Sequence, residues 1–281
     1  MKSAIENNIR AVIRMSNGVK IPALGLGVWQ VENEQELRTS CKAALDAQYW
    51  HIDTAAIYGN EAMVGRAVRD FGDREKLFLT TKLWNANHAD AHAAFEQSLK
   101  NLQTDYVDLY LIHWPATKKY NIYTTAWKSL IEIYKSGRAK AIGVSNFDKH
   151  HLEKIIDATG VVPHMNQVER HPLYQQKELE EYCKNLGITM TAYSPLGSGH
   201  LPEIAPKLQT VADKHGKSVA QVILRWQFQS GWVLIPKSVN PVRVRENSEI
   251  FDFELDSTDI SVIESLDAGK KFLPPPDDAN F

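Results

Sequence analysis

Apolar and polar residues alternate along this chain with two different periods, and the first segment has the shorter one. Apolar side chains occupy every second position in 9–13, and the pair Asn17-Gly18 follows them. An Asn-Gly pair favours the tight turn that joins two antiparallel strands, so residues 9–22 are predicted to form a β-hairpin. At the other end, residues 272–281 contain three consecutive prolines and are predicted to form an extended tail.

Between these ends, short apolar runs alternate with amphipathic segments of the helical period. The runs predict eight strands, at 24–28, 50–53, 77–82, 106–113, 139–144, 165–168, 188–193 and 232–236. The amphipathic segments predict helices at 34–47, 61–71, 89–102, 124–134, 149–158, 176–186, 203–230 and 257–266. This alternation indicates a parallel sheet, and eight units indicate a (β/α)8 TIM barrel of the α/β class, with the N-terminal hairpin as a cap and an extended C-terminal tail. No change of composition divides the chain, so residues 1–281 are predicted to form one domain.

An open, doubly wound sheet that binds a dinucleotide is the alternative architecture. It would carry G-x-G-x-x-G between its first strand and its first helix. The chain has Gly25 and Gly27 but Gln30 at the third position. The barrel is therefore the favoured fold.

Composition narrows the classes of function. With 281 residues, 43% of them hydrophobic and 23% charged, the chain can bury the full core of a soluble globular protein. A net charge of -2 gives no basic surface, so we expect no nucleic-acid partner. No apolar run approaches the roughly 20 residues that span a bilayer, and none is typical of a signal peptide. We therefore expect a cytoplasmic protein without a membrane partner.

The two cysteines, Cys41 and Cys183, lie in helical segments and are expected to be free thiols. No coiled-coil pattern or long apolar edge indicates an oligomer, and a monomer is expected.

Candidate chemistry lies where the predicted strands end. Asp53, Lys82 and His113 close three successive strands, and Tyr58 follows Asp53 in a polar loop. Active sites of such barrels lie at the C-terminal ends of the strands, so these side chains are expected to share a pocket. Lys82 would lower the pKa of Tyr58, and Asp53 would hold Lys82 cationic. His113 would orient a carbonyl oxygen while Tyr58 protonates the alkoxide, which suits carbonyl reduction by hydride from a cofactor.

A metal-dependent barrel hydrolase is the rival interpretation of His51 and Asp53, which share one side of their strand. Such a site needs several further histidine and carboxylate ligands at strand ends, and among those ends only His113 is available. We expect no metal. The pair His150-His151, like His164 and His171, is assigned no role.

Five separated motifs resemble those of the aldo-keto reductases, and the resemblance covers essentially the whole chain. The motifs are Asp53-Thr54-Ala55, Tyr58-Gly59-Asn60-Glu61 with Val64-Gly65, Leu109-Tyr110-Leu111-Ile112-His113-Trp114-Pro115, Gly143-Val144-Ser145-Asn146-Phe147 and Ile235-Pro236-Lys237-Ser238. The resemblance implies a catalytic tetrad of Asp53, Tyr58, Lys82 and His113. Tyr58 would be the general acid of this tetrad, supported by the Asp53–Lys82 pair.

The resemblance also implies a nicotinamide cofactor that is bound without a Rossmann fold. Residues expected near the nicotinamide are Ser145, Asn146, Gln167 and Tyr193, and those near the pyrophosphate are Ser194, Leu196 and Gly197. The adenosine would be surrounded by Lys237, Ser238, Val239, Arg243, Glu246 and Asn247. Taken alone, Lys237 and Arg243 fit a solvated helix face. Beside an adenine ribose, two cations favour NADPH over NADH.

The expected substrate pocket contains three tryptophans, although a core position is the commoner place for this residue. Trp29, Trp84 and Trp114 each follow a strand end closely, and His113 would complete the pocket. The short connection after Trp114 is similar to that of the small microbial 2,5-diketo-D-gluconate reductases and related prostaglandin F synthases. Residues 276–281 are a loose version of their Pro-Asp-Asn-Phe ending.

The resemblance therefore implies reduction of small aldehydes, dicarbonyls or keto sugars. The alternative is a nucleotide-binding sensor or regulatory barrel without turnover. An altered tetrad would favour that alternative, and all four positions are intact in this chain.

Overall fold

The computed structural model describes residues 6–279 and 281. An antiparallel hairpin comes first, in which β1 (Val12–Arg14) pairs with β2 (Lys20–Pro22). Gly18 in the connecting turn has a φ of 89°, a conformation that glycine adopts without steric cost. The hairpin predicted at 9–22 is confirmed.

Eight parallel strands form the second sheet and follow one another in chain order. They are β3 (Leu26–Gly27), β4 (His51–Asp53), β5 (Phe78–Leu83), β6 (Leu109–Ile112), β7 (Ile142–Ser145), β8 (Met165–Glu169), β9 (Thr189–Tyr193) and β10 (Val233–Leu234). Parallel bridges between Leu24 and Leu234 and between Gly27 and Lys237 join the first strand to the last. The sheet is therefore closed, and the predicted (β/α)8 barrel is confirmed.

Helices surround the barrel and connect its strands. They are α1 (Glu34–Asp46), α2 (Glu61–Phe71), α3 (Ala91–Leu102), α4 (Tyr123–Lys135), α5 (Lys149–Thr159), α6 (Lys177–Asn185), α7 (Leu201–His215), α8 (Val219–Gln229), α9 (Pro241–Glu246) and α10 (Ser257–Glu264). Short 3-10 turns occupy Ala56–Tyr58, Arg74–Lys76 and Asn85–Asp90. Within the described residues, no helix is long and apolar enough to cross a bilayer.

Two helix predictions need correction. The helical section predicted at 203–230 is two helices, because Gly216 ends α7 in the left-handed region and Ser218 caps α8. Helix α9 was not predicted, since its six residues are too few to show a helical period. Asn240 starts it by accepting hydrogen bonds from the backbone of Val242 and Arg243.

The hairpin covers the N-terminal end of the barrel. Met15 and Ile21 from the hairpin region join a buried cluster with Phe78 and Leu109, the first residues of β5 and β6. Because that end is covered by apolar packing, the C-terminal ends of the strands remain as the open face of the barrel. The predicted hairpin cap is confirmed, and the prolines of the tail at 272–281 follow α10 without a further helix in the described residues.

Candidate active site

A cavity of about 750 Å³ opens at the C-terminal ends of the strands. Its walls include thirteen of the residues singled out from the sequence: Trp29, Asp53, Tyr58, Trp84, His113, Trp114, Ser145, Asn146, Gln167, Tyr193, Ser194, Leu196 and Lys237. Residues that follow different strands of a closed barrel meet at one mouth, which is why positions so distant in the chain share these walls.

Asp53, Lys82 and Tyr58 form a connected group at the base of this cavity. The Lys82 ammonium makes an ion pair with Asp53 and donates a hydrogen bond of 2.8 Å to the Thr54 carbonyl. Its Nζ lies 3.4 Å from the Tyr58 hydroxyl oxygen. Lys82 itself is fully buried beneath the cavity wall, so it reaches the site through Asp53 and Tyr58.

The protonation states of this group follow from burial and neighbouring charge. Burial works against the charged form of Lys82, but its interactions with Asp53 and Tyr58 together outweigh burial and raise the pKa of the ammonium. Burial also raises the pKa of Tyr58 above its ordinary value, although Lys82 opposes this shift. Lys82 thus acts on the pKa of Tyr58 in the predicted direction, but burial is the larger effect and the pKa is raised overall. Tyr58 is a protonated phenol at neutral pH.

His113 lies between Tyr58 and Trp84, with ring centroids 5.6 Å and 5.4 Å from theirs. Burial, with a smaller contribution from Lys82, holds the pKa of His113 well below its usual value. The ring is therefore a neutral imidazole at neutral pH, which carries one N–H donor. Asn146 donates a hydrogen bond of 2.9 Å to the His113 carbonyl and fixes the backbone at this point.

A second polar group continues along the cavity from Asp53. The Gln167 side-chain amide donates a hydrogen bond of 2.7 Å to the oxygen of Asp53 that does not face Lys82. The Ser145 hydroxyl donates to the backbone carbonyl of Gln167 at 2.8 Å. The Tyr193 hydroxyl donates to the Asn146 side chain at 2.6 Å. Ser145, Gln167 and Tyr193 belong to β7, β8 and β9, and Asn146 follows β7. Their hydrogen bonds hold these four residues in place beside Asp53.

The loop after β9 has an unusual backbone. Ser194, Gly197, Ser198 and Gly199 all have positive φ, and α7 begins two residues later at Leu201. Successive residues of this kind turn backbone N–H groups toward one side, and the N-terminus of a 15-residue helix adds a positive partial charge. Ser194 and Leu196 line the cavity, whereas Gly197, which follows Leu196, is buried.

The predicted adenosine residues are only partly brought to the cavity. Lys237 lines it, but Ser238, Val239, Arg243, Glu246 and Asn247 do not. Arg243 and Glu246 are exposed on α9, and Asn247 is buried at the C-terminal cap of that helix. The structure therefore places these five residues beyond the cavity, on the side of Lys237. His51 also lies apart from the cavity, where it shares a hydrogen bond of 3.0 Å with Thr80.

Another part of the cavity wall is aromatic. Phe281 stacks on Trp84 with centroids 5.7 Å apart and meets Trp114 edge to face at 5.1 Å. The Phe281 carbonyl accepts a hydrogen bond of 3.0 Å from Asn85. Trp29, 39% exposed, lies at the mouth.

Sequence reasoning missed several residues of the cavity. They are Ile57, Pro195, Leu273, Pro274 and Phe281, which line the cavity without belonging to a strand end. An aromatic residue after a proline-rich tail was the available signal for Phe281. Asn280, which precedes it, lies outside the described residues.

Comparison with known proteins identifies the family. The Aldo/keto reductase family model matches residues 23–268. The chain is 48% identical over 277 residues to a glyoxal reductase of Bacillus subtilis (strain 168), covering 98% of this chain and 99% of that protein. It is 47% identical over 268 residues to the methylglyoxal reductase DkgA of Escherichia coli (strain K12), covering 95% and 97%.

Solved structures agree with the fold and the family. The crystal structure of a Gox0644 mutant in complex with NADPH has a TM-score of 0.91 and 41% identity, covering 99% of this chain and 100% of that one. An aldo/keto reductase from Brucella melitensis has a TM-score of 0.86 and 47% identity, covering 91% and 99%. This chain belongs to the aldo/keto reductase family.

Proposed function

We propose that this protein reduces small aldehydes, dicarbonyls or keto sugars to alcohols, with NADPH as the reductant. The observation that carries the proposal is the Tyr58 hydroxyl 3.4 Å from the buried Lys82 ammonium, inside a cavity with an aromatic wall. The relatives named glyoxal reductase and methylglyoxal reductase favour dicarbonyls among these substrates.

The polar side of the cavity fits a nicotinamide dinucleotide. Ser145, Asn146 and Gln167 offer amide and hydroxyl groups for a carboxamide, and the Tyr193 ring beside them suits stacking. The loop that contains Ser194, Leu196 and Gly197 suits a pyrophosphate, because its backbone and the start of α7 favour negative charge. The positions proposed for the adenosine are Lys237, Ser238, Val239, Arg243, Glu246 and Asn247.

The tetrad side chains have distinct proposed roles. The nicotinamide, when bound, supplies the hydride that adds to the carbonyl carbon. Tyr58 donates its hydroxyl proton to the alkoxide that results, since it is the protonated acid beside the aromatic wall. The Lys82 ammonium stabilises the phenolate that Tyr58 becomes, and Asp53 keeps Lys82 charged. Neutral His113 donates its N–H to the carbonyl oxygen and so orients the substrate toward Tyr58.

The substrate is proposed to lie against Trp29, Trp84 and Trp114, next to His113. No observation favours the alternative of a sensor or regulatory barrel without turnover, since all four tetrad side chains are present and three of them line the cavity.

The experiment is oxidation of NADPH, followed by absorbance, with methylglyoxal, glyoxal, a benzaldehyde and a keto sugar. We expect turnover that depends on the carbonyl, with methylglyoxal and glyoxal among the good substrates. Tight binding of NADPH without turnover of any carbonyl would instead support the sensor alternative.

We further propose that the chain is a single-domain monomer in the cytoplasm. Cys41 and Cys183 are free and buried, and burial raises the pKa of each thiol to about 12, which suits a compartment without disulfide formation.

Seven large apolar side chains are exposed among the described residues, and three of them, Trp29, Ile57 and Phe281, line the cavity. Light scattering should give a mass near 31.8 kDa.

A further inference from the structure

Two adjacent histidines hold a carboxylate of the C-terminal tail. His150 and His151, at the start of α5, each place Nε2 3.0 Å from a different oxygen of Asp277. The Thr117 hydroxyl donates a hydrogen bond of 3.0 Å to the oxygen that faces His151. We call these four residues, Thr117, His150, His151 and Asp277, the tail clamp. They lie outside the cavity and have no part in the chemistry described above.

The hydrogen bonds of His151 show whether this clamp is a hydrogen-bonded anchor or a metal site. Its Nδ1 accepts a hydrogen bond of 3.1 Å from the Asp148 backbone N–H, as part of the capping box of α5. The hydrogen of the neutral ring is therefore on Nε2, which donates it to Asp277. A metal at Nε2 would need that lone pair and would put a hydrogen on Nδ1, against the Asp148 N–H. The cluster is thus a hydrogen-bonded anchor, although its three side chains could otherwise suit a cation.

Asp277, the tail residue of the clamp, lies four residues before Phe281, which forms part of the aromatic wall. Asp277 lies in a turn over residues 275–279, in which the backbone N–H groups of Asp278 and Ala279 donate to the Pro275 carbonyl at 2.9 Å and 3.0 Å. Ala279 is buried, so this turn packs against the barrel. Phe281 then contacts Trp84 and Trp114 at the distances given above. Movement of Asp277 would therefore be transmitted to the cavity.

The tail is also fixed upstream of the clamp, at its start. Buried Glu169, at the end of β8, accepts hydrogen bonds of 2.7 Å and 3.2 Å from the backbones of Phe272 and Leu273. Glu169 thus holds the start of the tail, and the tail clamp holds it again nearer to Phe281.

We propose that the tail clamp is a specificity-determining device, in which Asp277 positions Phe281 and so sets the width of the substrate side of the cavity. The proposal rests on the proposed function, because its consequence is a preference for small carbonyl substrates. Asp277 is a positioning residue, since it acts through Phe281 and does not touch the cavity.

The test compares Asp277→Ala with Asp278→Ala, a control at the adjacent carboxylate, which pairs with Lys118 on the surface at 3.0 Å. Asp277→Ala should raise KM for methylglyoxal about threefold to tenfold, the factor that loss of one or two hydrogen bonds produces. The kcat value and the Kd for NADPH should stay within about twofold, and KM for a bulky aromatic aldehyde should rise less. Asp278→Ala should match the wild type, and Asp277→Asn, which keeps an acceptor for His151, should restore most of the loss.

Equal KM values for methylglyoxal in Asp277→Ala and Asp278→Ala would overturn the proposal, as would a parallel loss of NADPH affinity in Asp277→Ala. Near-ultraviolet circular dichroism gives an independent reading, because Phe281 packs on two tryptophans. We expect Asp277→Ala to change that signal and Asp278→Ala to leave it unchanged. If the wild type reduces no carbonyl, the proposed function fails, and the spectra still decide whether Asp277 positions Phe281.

Discussion

Tyr58 occupies a site where burial and a neighbouring cation have opposite effects on one phenol. Burial raises the pKa of Tyr58 and keeps the proton on the oxygen, while Lys82 favours the phenolate. An acid that holds its proton until the alkoxide develops, and has a cation beside it afterwards, suits the proposed proton transfer. Neutral His113 fits the same scheme because it adds a hydrogen-bond donor without another positive charge next to Lys82.

Also at the scale of residues, Lys237 and Arg243 should determine the choice of cofactor. Either Lys237→Ala or Arg243→Ala should weaken NADPH binding by about tenfold and NADH binding by less than about twofold, because only NADPH carries a 2′-phosphate. Fluorescence titration with both cofactors measures this difference. Arg245→Ala is a matched control, since Arg245 is exposed on the same helix α9. Equal weakening of NADPH and NADH would remove the assignment of a 2′-phosphate contact.

At the scale of elements, the strands were predictable in number and order because short apolar runs alternate with amphipathic helical segments, and three successive runs end in an ionisable residue. Asp53, Lys82 and His113 could be assigned to one pocket for that reason alone. The break between α7 and α8 was missed, as was the short helix α9, because local capping by Ser218 and Asn240 decides them. Hydrophobic periodicity does not report caps of this kind.

The contact between α2 and α3 depends on a glycine. A Cβ at Gly65 would lie 2.6 Å from the Leu102 carbonyl oxygen and 2.7 Å from that of Asn101. Gly→Ala inside a helix ordinarily stabilises by about 1 kcal/mol, but here backbone would have to move. Gly65→Ala should therefore lower the free energy of unfolding by about 1–3 kcal/mol. Urea denaturation measures the change, and a variant as stable as the wild type would show that α2 and α3 can separate without cost.

At the scale of the whole molecule, the contacts around the cavity join parts of the chain that no local pattern relates. Phe281 meets Asn85, 196 positions away in the sequence, and its neighbour Trp84, and Asp277 meets His151, 126 positions away. Barrel closure could be predicted from the count of strands, but the path of the tail could not, because prolines define an extended backbone without defining its direction. The aromatic wall was for this reason only half predicted.

Buried histidines should make the fold sensitive to acid. Burial lowers the pKa of both His51 and His88 to about 4, from an ordinary value of 6.5. Between these values the unfolded chain binds protons that the folded chain does not, so stability falls as pH decreases from about 6.5 to about 4. In this window, each histidine lowers the free energy of unfolding by roughly 1.4 kcal/mol for every unit by which the pH decreases.

His88 offers a clean test, since neither ring nitrogen hydrogen-bonds to another group in residues 6–279 or 281. Urea denaturation at pH 5 and pH 7 should show a smaller loss of stability in His88→Leu than in the wild type. An unchanged loss would mean that His88 does not titrate on unfolding in this range.

The most direct measurement of the central proposal is the rate of carbonyl reduction by Tyr58→Phe, made together with the Kd for NADPH. Phenylalanine keeps the ring against His113 and removes the hydroxyl that Lys82 faces. We expect kcat with methylglyoxal to fall by two to four orders of magnitude, the usual contribution of a general acid, while the Kd changes by less than about twofold. A variant that retains more than a tenth of the rate, or that loses cofactor affinity in proportion to rate, would contradict the role of Tyr58 as the proton donor.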